Sequence, residues 1–203
     1  MDKLSSPEEM VSMIETNMGT TEFDELRKQW ITRTYTDLKV IWGATSISPN
    51  AFARCTSLKE AIIPPTVKTI GENCFDGCSN LTRCVVPEGV ESICGTVVNC
   101  PAITSFEMPE GLVSIGGWTL NQGKITKLII PSTVTTIAEY AFIFTSTTPQ
   151  IYFKGTPKTL ASNSLLLKKG GDIYVPWAEG EVTNAPWGSP DATIHYNYIY
   201  AGE

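Results

Sequence analysis

The chain has 203 residues, of which 42% are hydrophobic and 18% charged, so it is long and apolar enough to bury a core. Its 15 Lys and Arg residues against 21 Asp and Glu residues give a formal net charge of −6, with no basic segment. Nucleic acid and anionic membrane are therefore not expected partners. We identify neither a signal peptide nor the apolar run of about 20 residues that membrane insertion requires.

Residues 1–35 carry the signals of two short helices. Ser6 is a helix N-cap residue, Pro7 suits the first helical position, and Glu9 completes a capping box. A second helix is predicted from Thr21, because Phe23, Leu26 and Trp30 follow at helical spacing. We predict that the two helices cap whatever core begins at residue 36.

The remainder of the chain, residues 36–203, is repetitive. Pro64, Pro87, Pro109 and Pro131 are 23, 22 and 22 residues apart, and each follows an apolar pair or triplet. The same step aligns four apolar columns, two of which lie two residues apart, as on the inward side of a β-strand. The two strand columns are Leu38, Ala61, Cys84, Phe106, Leu128, Ile151, Ile173, Ile194 and Val40, Ile63, Val86, Met108, Ile130, Phe153, Val175, Tyr196. The other two are Ile47, Ile70, Ile93, Ile115, Ile137, Leu160, Val182 and Phe52, Phe75, Val98, Leu120, Phe142, Leu165, Trp187.

Aligned columns of this kind predict a solenoid, in which each repeat makes one coil and stacks on the next. A single coil cannot bury its own apolar side. Each fully buried large side chain contributes roughly 1.5–3 kcal/mol, against an ordering cost of about 1–2 kcal/mol per residue. Stacked coils share one continuous core and so meet that cost.

The string ISPNAFARCTSLKEAIIPPTVKTIGENCFDGCSNLTRCVVPEGVESI, residues 47–93, resembles the BspA-type (Treponema-type) leucine-rich repeat. Residues 94–142 keep the pattern with substitutions, and the coils that follow are degenerate. The resemblance implies an α+β solenoid. Its expected form is a right-handed coil of about eight repeats of 22 or 23 residues, with one parallel β-sheet and the N-terminal helical cap.

The same resemblance implies a function in binding. Such repeats are similar to surface and adhesion proteins of bacteria and protozoa, and related segments occur in phage proteins. We therefore expect a non-catalytic, adhesin-like module that presents its sheet to a protein or glycan partner. It would be at the cell surface, secreted or virion-associated. The alternative is a structural component of a phage or other extracellular assembly.

The cysteines fill repeat positions. Cys55, Cys78 and Cys100 share one position, whereas Cys74, Cys84 and Cys94 stand where other repeats have Ala, Leu or Gly. A zinc site needs four ligands in close pairs, but the spacings here are C-x₃-C and C-x₅-C, and the chain has one histidine. We predict no metal or other cofactor and six buried, reduced thiols, although stacked cysteines could approach disulfide distance.

Two acidic residues are the strongest catalytic candidates. Glu88 and Glu110 occupy equivalent Pro-Glu-Gly turns, so their carboxylates could approach the separation of about 5–5.5 Å found in retaining glycosidases. Any equivalent acids of a solenoid stack this closely, and an exposed turn has no cleft to separate their pKa values. No nucleophile is placed beside His195. An enzyme is not expected, and a carbohydrate-active enzyme is the weaker alternative.

The last coil is rich in tryptophan and proline. Trp177 and Trp187 lie among Pro176, Pro186 and Pro190. Exposed tryptophans could bind sugars, but the interpretation we prefer is that these rings close the open end of the core.

Between the two strand columns lies one outward residue per strand. These residues form the binding hypothesis: Ile62, Val85, Glu107, Ile129, Tyr152, Tyr174 and His195. An apolar and aromatic stripe of this kind is typical of an interaction face. The alternative is that β-branched and aromatic residues are present because they favour strands.

Overall fold

The computed structural model describes residues 37–39, 45–145 and 147–202. Within these ranges the chain forms short β-strands and turns, wound into a parallel β-solenoid. Eight strands define its first face, so the chain completes seven turns between the first strand and the last. They are β1 (Asp37–Lys39), β3 (Glu60–Ile62), β5 (Arg83–Val85), β7 (Ser105–Glu107), β10 (Lys127–Ile130), β13 (Gln150–Phe153), β16 (Gly171–Tyr174) and β17 (Ala192–His195).

Two further faces complete each coil. The second face has two-residue strands: β2 (Ser46–Ile47), β4 (Thr69–Ile70), β6 (Ser92–Ile93), β8 (Ser114–Ile115), β11 (Thr136–Ile137) and β14 (Thr159–Leu160). The third face has β9 (Leu120–Asn121), β12 (Phe142–Phe144) and β15 (Leu165–Leu167). All pairing is parallel, and each strand bonds to the strand one coil away.

The register of the first face follows the repeat. Ala61 lies opposite Cys84, and Cys84 lies opposite Phe106, at steps of 23 and 22 residues. The ladder is interrupted once: β1, β3, β5 and β7 form one four-stranded sheet and β10, β13, β16 and β17 form another. Every side chain of one sheet position therefore points the same way in successive coils.

The predicted inward columns form the core. From Ile47 onwards their members are buried, except that Met108, Val182, Ile194 and Tyr196 are partly buried and pack against the rest. Phe52 and Phe75 stack on adjacent coils with ring centroids 5.5 Å apart. The core runs from Ile47 to Trp187 as one cluster, as the solenoid interpretation requires.

Three parts of the predicted architecture need correction or lie outside the described residues. The single sheet is wrong, because hydrogen-bonded strands occur on three faces of the coil. The described residues contain no α-helix, so they give no support to the α+β class. The helices predicted in residues 1–35, and Val40 in the second strand column, lie outside the described residues.

One column position was also misassigned. Val97, not Val98, pairs with Leu120 on the third face and takes the position of Phe75 in the preceding coil. Val97 belongs to the core cluster. Both residues are valines, so hydrophobicity alone could not distinguish them, and the backbone pairing decides.

The last coil closes the core with aromatic rings. Trp177 and Trp187 are buried, with centroids 6.0 Å apart in an edge-to-face arrangement. Phe153 packs edge-to-face on Trp177 at 5.2 Å. Because both rings are buried, neither tryptophan offers a face to a sugar; that this coil caps the solenoid stays a prediction.

Candidate functional site

The predicted binding residues form the outer row of the first face, and the structure divides them into two groups. Ile62, Val85 and Glu107 follow one another in register across β3, β5 and β7. The second group comprises Ile129, Tyr152, Tyr174 and His195, in register across β10, β13, β16 and β17. The interruption of the ladder between β7 and β10 separates the two groups.

The first group is a small apolar surface next to an ion pair. Ile62 is 49% exposed, whereas Val85 is half-buried. The Glu107 carboxylate accepts from Arg83 Nε at 2.9 Å and from Ser105 Oγ at 3.1 Å. Because its own neighbours satisfy it, Glu107 is a poor candidate for contacting a charged partner.

The second group is an aromatic ladder. The Tyr152 and Tyr174 rings stack with centroids 4.5 Å apart and planes 8° from parallel. Tyr174 and His195 continue the stack at 4.3 Å and 9°. Parallel strand pairing places these residues on adjacent coils, which is why their rings face one another. The inner ring faces of the ladder are thus already occupied.

The chain itself adds two more rings to the ladder. After β17 the backbone turns back, and the Tyr198 amide donates to the Val175 carbonyl at 2.9 Å. Tyr198 tilts over Tyr174 at 4.9 Å, and Tyr200 tilts over Tyr152 at 5.4 Å. We call these four tyrosines the tyrosine cluster. Sequence reasoning missed Tyr198 and Tyr200, because the repeat pattern ends before them.

Polar groups hold the ladder in place. Lys127 Nζ lies 5.6 Å from the Tyr152 ring centroid, and His195 Nε2 is 2.8 Å from Asp172 Oδ1. The Tyr152 hydroxyl donates to Gln150 Oε1 at 3.2 Å. Burial, followed by the nearby Tyr174 and Tyr198, raises the pKa of Tyr152. Its phenol therefore stays protonated and keeps its capacity to donate.

Glu110, one of the two acids of the predicted turn pair, is engaged by a lysine and a serine. Glu110 accepts from Lys154 Nζ at 2.6 Å and from Ser132 Oγ at 2.9 Å. Partial burial would raise the pKa of Glu110, but the bonds from Lys154 and Ser132 outweigh it, and the pKa is lowered. A general acid needs the opposite shift. Glu88 is exposed on its turn, as predicted.

The six cysteines form no disulfide and are packed inside the coils. Five of the six cysteines are buried, and Cys94 is half-buried. Cys78 Sγ donates to Phe52 O at 3.1 Å, and Cys100 Sγ repeats this bond one coil later, to Phe75 O at 3.0 Å. In the described part of the chain, no three His, Cys, Asp or Glu side chains converge on a metal-sized site. No helix among those residues has the length and hydropathy of a membrane span.

Residues 33–164 match the family model of the BspA type leucine rich repeat region, in six copies. The chain belongs to this family. A leucine-rich repeat protein of T. pallidum shares the fold with a TM-score of 0.51 at 20% identity, over 78% of this chain and 66% of that one. A Bacteroides ovatus leucine-rich repeat protein aligns at a TM-score of 0.46 and 18% identity, over 81% of this chain and 60% of that one. This chain thus spans less than two thirds of either protein, and no curated sequence matches it.

Proposed function

We propose that this BspA-type repeat chain is a non-catalytic, adhesin-like binding module whose first face binds a partner protein through the tyrosine cluster. The observation that carries the proposal is the ladder of Tyr152, Tyr174 and His195 with Tyr198 and Tyr200 tilted over it. Leucine-rich repeat regions generally serve as binding surfaces. A cell-surface, secreted or virion-associated location belongs to the same proposal.

The composition of the cluster favours a protein surface. Tyrosine combines a large apolar ring with a hydroxyl that hydrogen-bonds, which is why it is enriched at interface hot spots. Ile199, between Tyr198 and Tyr200, is 82% exposed and adds an apolar side chain beside the cluster. His195 and Lys127 supply polar contacts at its edge.

A glycan is less well suited to this surface. A sugar stacks on a free aromatic face, whereas Tyr174 is already stacked between Tyr152 and His195. What the ladder presents outward is ring edges and hydroxyl groups. Such groups match the mixed apolar and polar chemistry of a protein interface.

The test is a parallel screen of the wild-type chain against an array of extracellular proteins and a glycan array. Protein ligands are then measured against Tyr198→Ala/Tyr200→Ala, which removes two rings of the cluster that lie after the last strand. We expect at least about a fivefold loss of affinity, the usual cost of removing an interface hot spot. Ile62→Ala is the matched control, since it truncates an exposed apolar residue of the same face outside the cluster.

Two results would contradict the proposal. One is a wild-type chain that binds glycans but no protein. The other is a protein ligand whose affinity falls with Ile62→Ala but not with the tyrosine variant. If the ligand found is a second copy of the chain, as an assembly component would require, light scattering will show self-association that the tyrosine variant abolishes.

A further inference from the structure

A second aromatic feature lies away from the first face, on the turn that leads into the third face. Five successive coils place one residue there in the left-handed backbone region, with φ between 55° and 59°. Successive coils fill this position, two residues before the inward residue of the third face, with Asn50, Asn73, Gly95, Trp118 and Tyr140. Asparagine and glycine are the residues that adopt this conformation at low cost.

Trp118 and Tyr140 are exceptional in this position. A bulky side chain at positive φ is strained, and such strain persists where a site requires it. Core packing does not explain these rings, because Trp118 is 50% exposed and Tyr140 is 38% exposed. The rings stack on each other with centroids 5.9 Å apart and planes 25° from parallel.

Among the described residues, Tyr140 is the one ring that stacks on the indole of Trp118, which is half-exposed. Tyr140 lies on the following coil and covers one face of the Trp118 ring, so the opposite face is directed towards the preceding coil. The residue of that coil at the same position is Gly95, which has no side chain. Gly117, immediately before Trp118, adds none either. The second indole face therefore lies beside the backbone of Gly95 and Gly117, which carries no side chains. We call this backbone surface the shelf.

An amide borders this shelf on the far side. The Oδ1 of Asn73 would lie 3.1 Å from a Cβ built on Gly95, so its side chain leans over the glycine. Asn73 is exposed, and its side-chain amide has no hydrogen-bond partner among the described residues. It offers an acceptor and two donors next to the aromatic face.

We propose that Trp118, Gly95 and Asn73 form a binding site for a neutral pyranose of the β-gluco type. Such a sugar has one face of axial C–H groups, which stacks on an open aromatic ring. Its equatorial hydroxyl groups lie at the rim, where neighbouring hydroxyls bond to the two ends of a primary amide. Gly95 leaves room for the ring between the two side chains.

The surrounding charges restrict the ligand. Residues just before this turn position on neighbouring coils are Glu72, Cys94, Gly117 and Glu139, which include carboxylates and no cation. An anionic sugar would meet repulsion here. The site is independent of the tyrosine cluster, which lies on the first face.

Saturation-transfer NMR with methyl β-D-glucopyranoside tests the proposal directly. Transfer from the protein is expected at H1, H3 and H5, the protons that would contact the indole. Methyl β-D-allopyranoside is the matched ligand, since inversion at C3 places a hydroxyl on that same face, and its signal should be much weaker. Methyl β-D-glucuronide should also give little transfer.

Two variants locate the site. Trp118→Asn removes the stacking face, and Gly95→Asn fills the shelf with the residue that already takes this backbone conformation at Asn50 and Asn73. We expect each to reduce the transfer at least about fivefold. Tyr198→Ala should leave it unchanged. Absence of transfer to the wild type at millimolar sugar, equal transfer to the alloside, or undiminished transfer in Gly95→Asn would overturn the assignment.

Discussion

If Trp118 and Tyr140 serve a ligand, replacing both by asparagine should not destabilise the fold. The left-handed conformation costs a non-glycine residue about 1–2 kcal/mol, and asparagine lowers that cost because its short polar side chain bonds locally. The change also forfeits a ring pair worth about 0.5–1.5 kcal/mol. Relief at two positions roughly offsets the lost stacking, since both rings are half in solvent.

We therefore expect the free energy of unfolding of Trp118→Asn/Tyr140→Asn to be unchanged or higher by up to about 1 kcal/mol. Urea denaturation followed by circular dichroism measures this, with the slope of the transition compared as well as its midpoint. Phe75→Ala is the control for sensitivity, because truncating this buried ring should cost about 3–5 kcal/mol. A loss above about 1 kcal/mol in the double variant would show that the rings are structural and would refute the reasoning from strain.

Two further predictions concern the thiols and the one engaged turn acid. Native protein should react with about one equivalent of thiol reagent ahead of the rest, at the half-buried Cys94, and denatured protein with all six cysteines. The other thiols react slowly because they are buried: the hydrogen bond with Cys100, together with burial, raises the pKa of Cys78 to about 12, and burial raises the pKa of Cys84. Fewer than six equivalents after denaturation without reductant would instead indicate disulfides. Glu110→Gln should cost less than about 1 kcal/mol, because the Lys154 pair is 36% and 47% exposed. Since the pKa of Glu110 is lowered by folding, its contribution is present above the unfolded pKa of about 4.3 and is lost as pH falls; a Gln variant whose stability falls as steeply on acidification would contradict this.

The core was predictable because residues at the same position of successive repeats lie in the same surroundings. In a solenoid the step of 22 or 23 residues carries each side chain onto its equivalent, so a single apolar column fixes burial for every coil. The prediction failed where the step itself is ambiguous, at Val97 and Val98. The second and third faces were not read as sheets, because two-residue strands such as Thr69–Ile70 are too short to show an alternating pattern.

For the outer row of the first face, the sequence predicted where the side chains point but not which other side chains cover them. Alternation along the strands places Tyr152, Tyr174 and His195 outward, and the ladder of the structure confirms that placement. The covering by Tyr198 and Tyr200 depends on a backbone reversal after β17, which no repeat signals. Contacts of a segment outside the repeats cannot be predicted from the repeat pattern and are visible only in the folded structure.

Residues that depart from the repeat can indicate a function, whereas residues that follow it are explained by the fold alone. Asparagine or glycine at the left-handed turn is what the coil requires, so those residues say nothing about a ligand. Trp118 and Tyr140 break that rule on adjacent coils and remain exposed, next to the one coil where glycine empties the same position. Two adjacent coils that both break the rule, beside a coil whose glycine leaves the position empty, argue for a role in binding rather than in the fold. The Gly95→Asn variant, which fills the empty position with a residue that the turn accepts, separates these two causes.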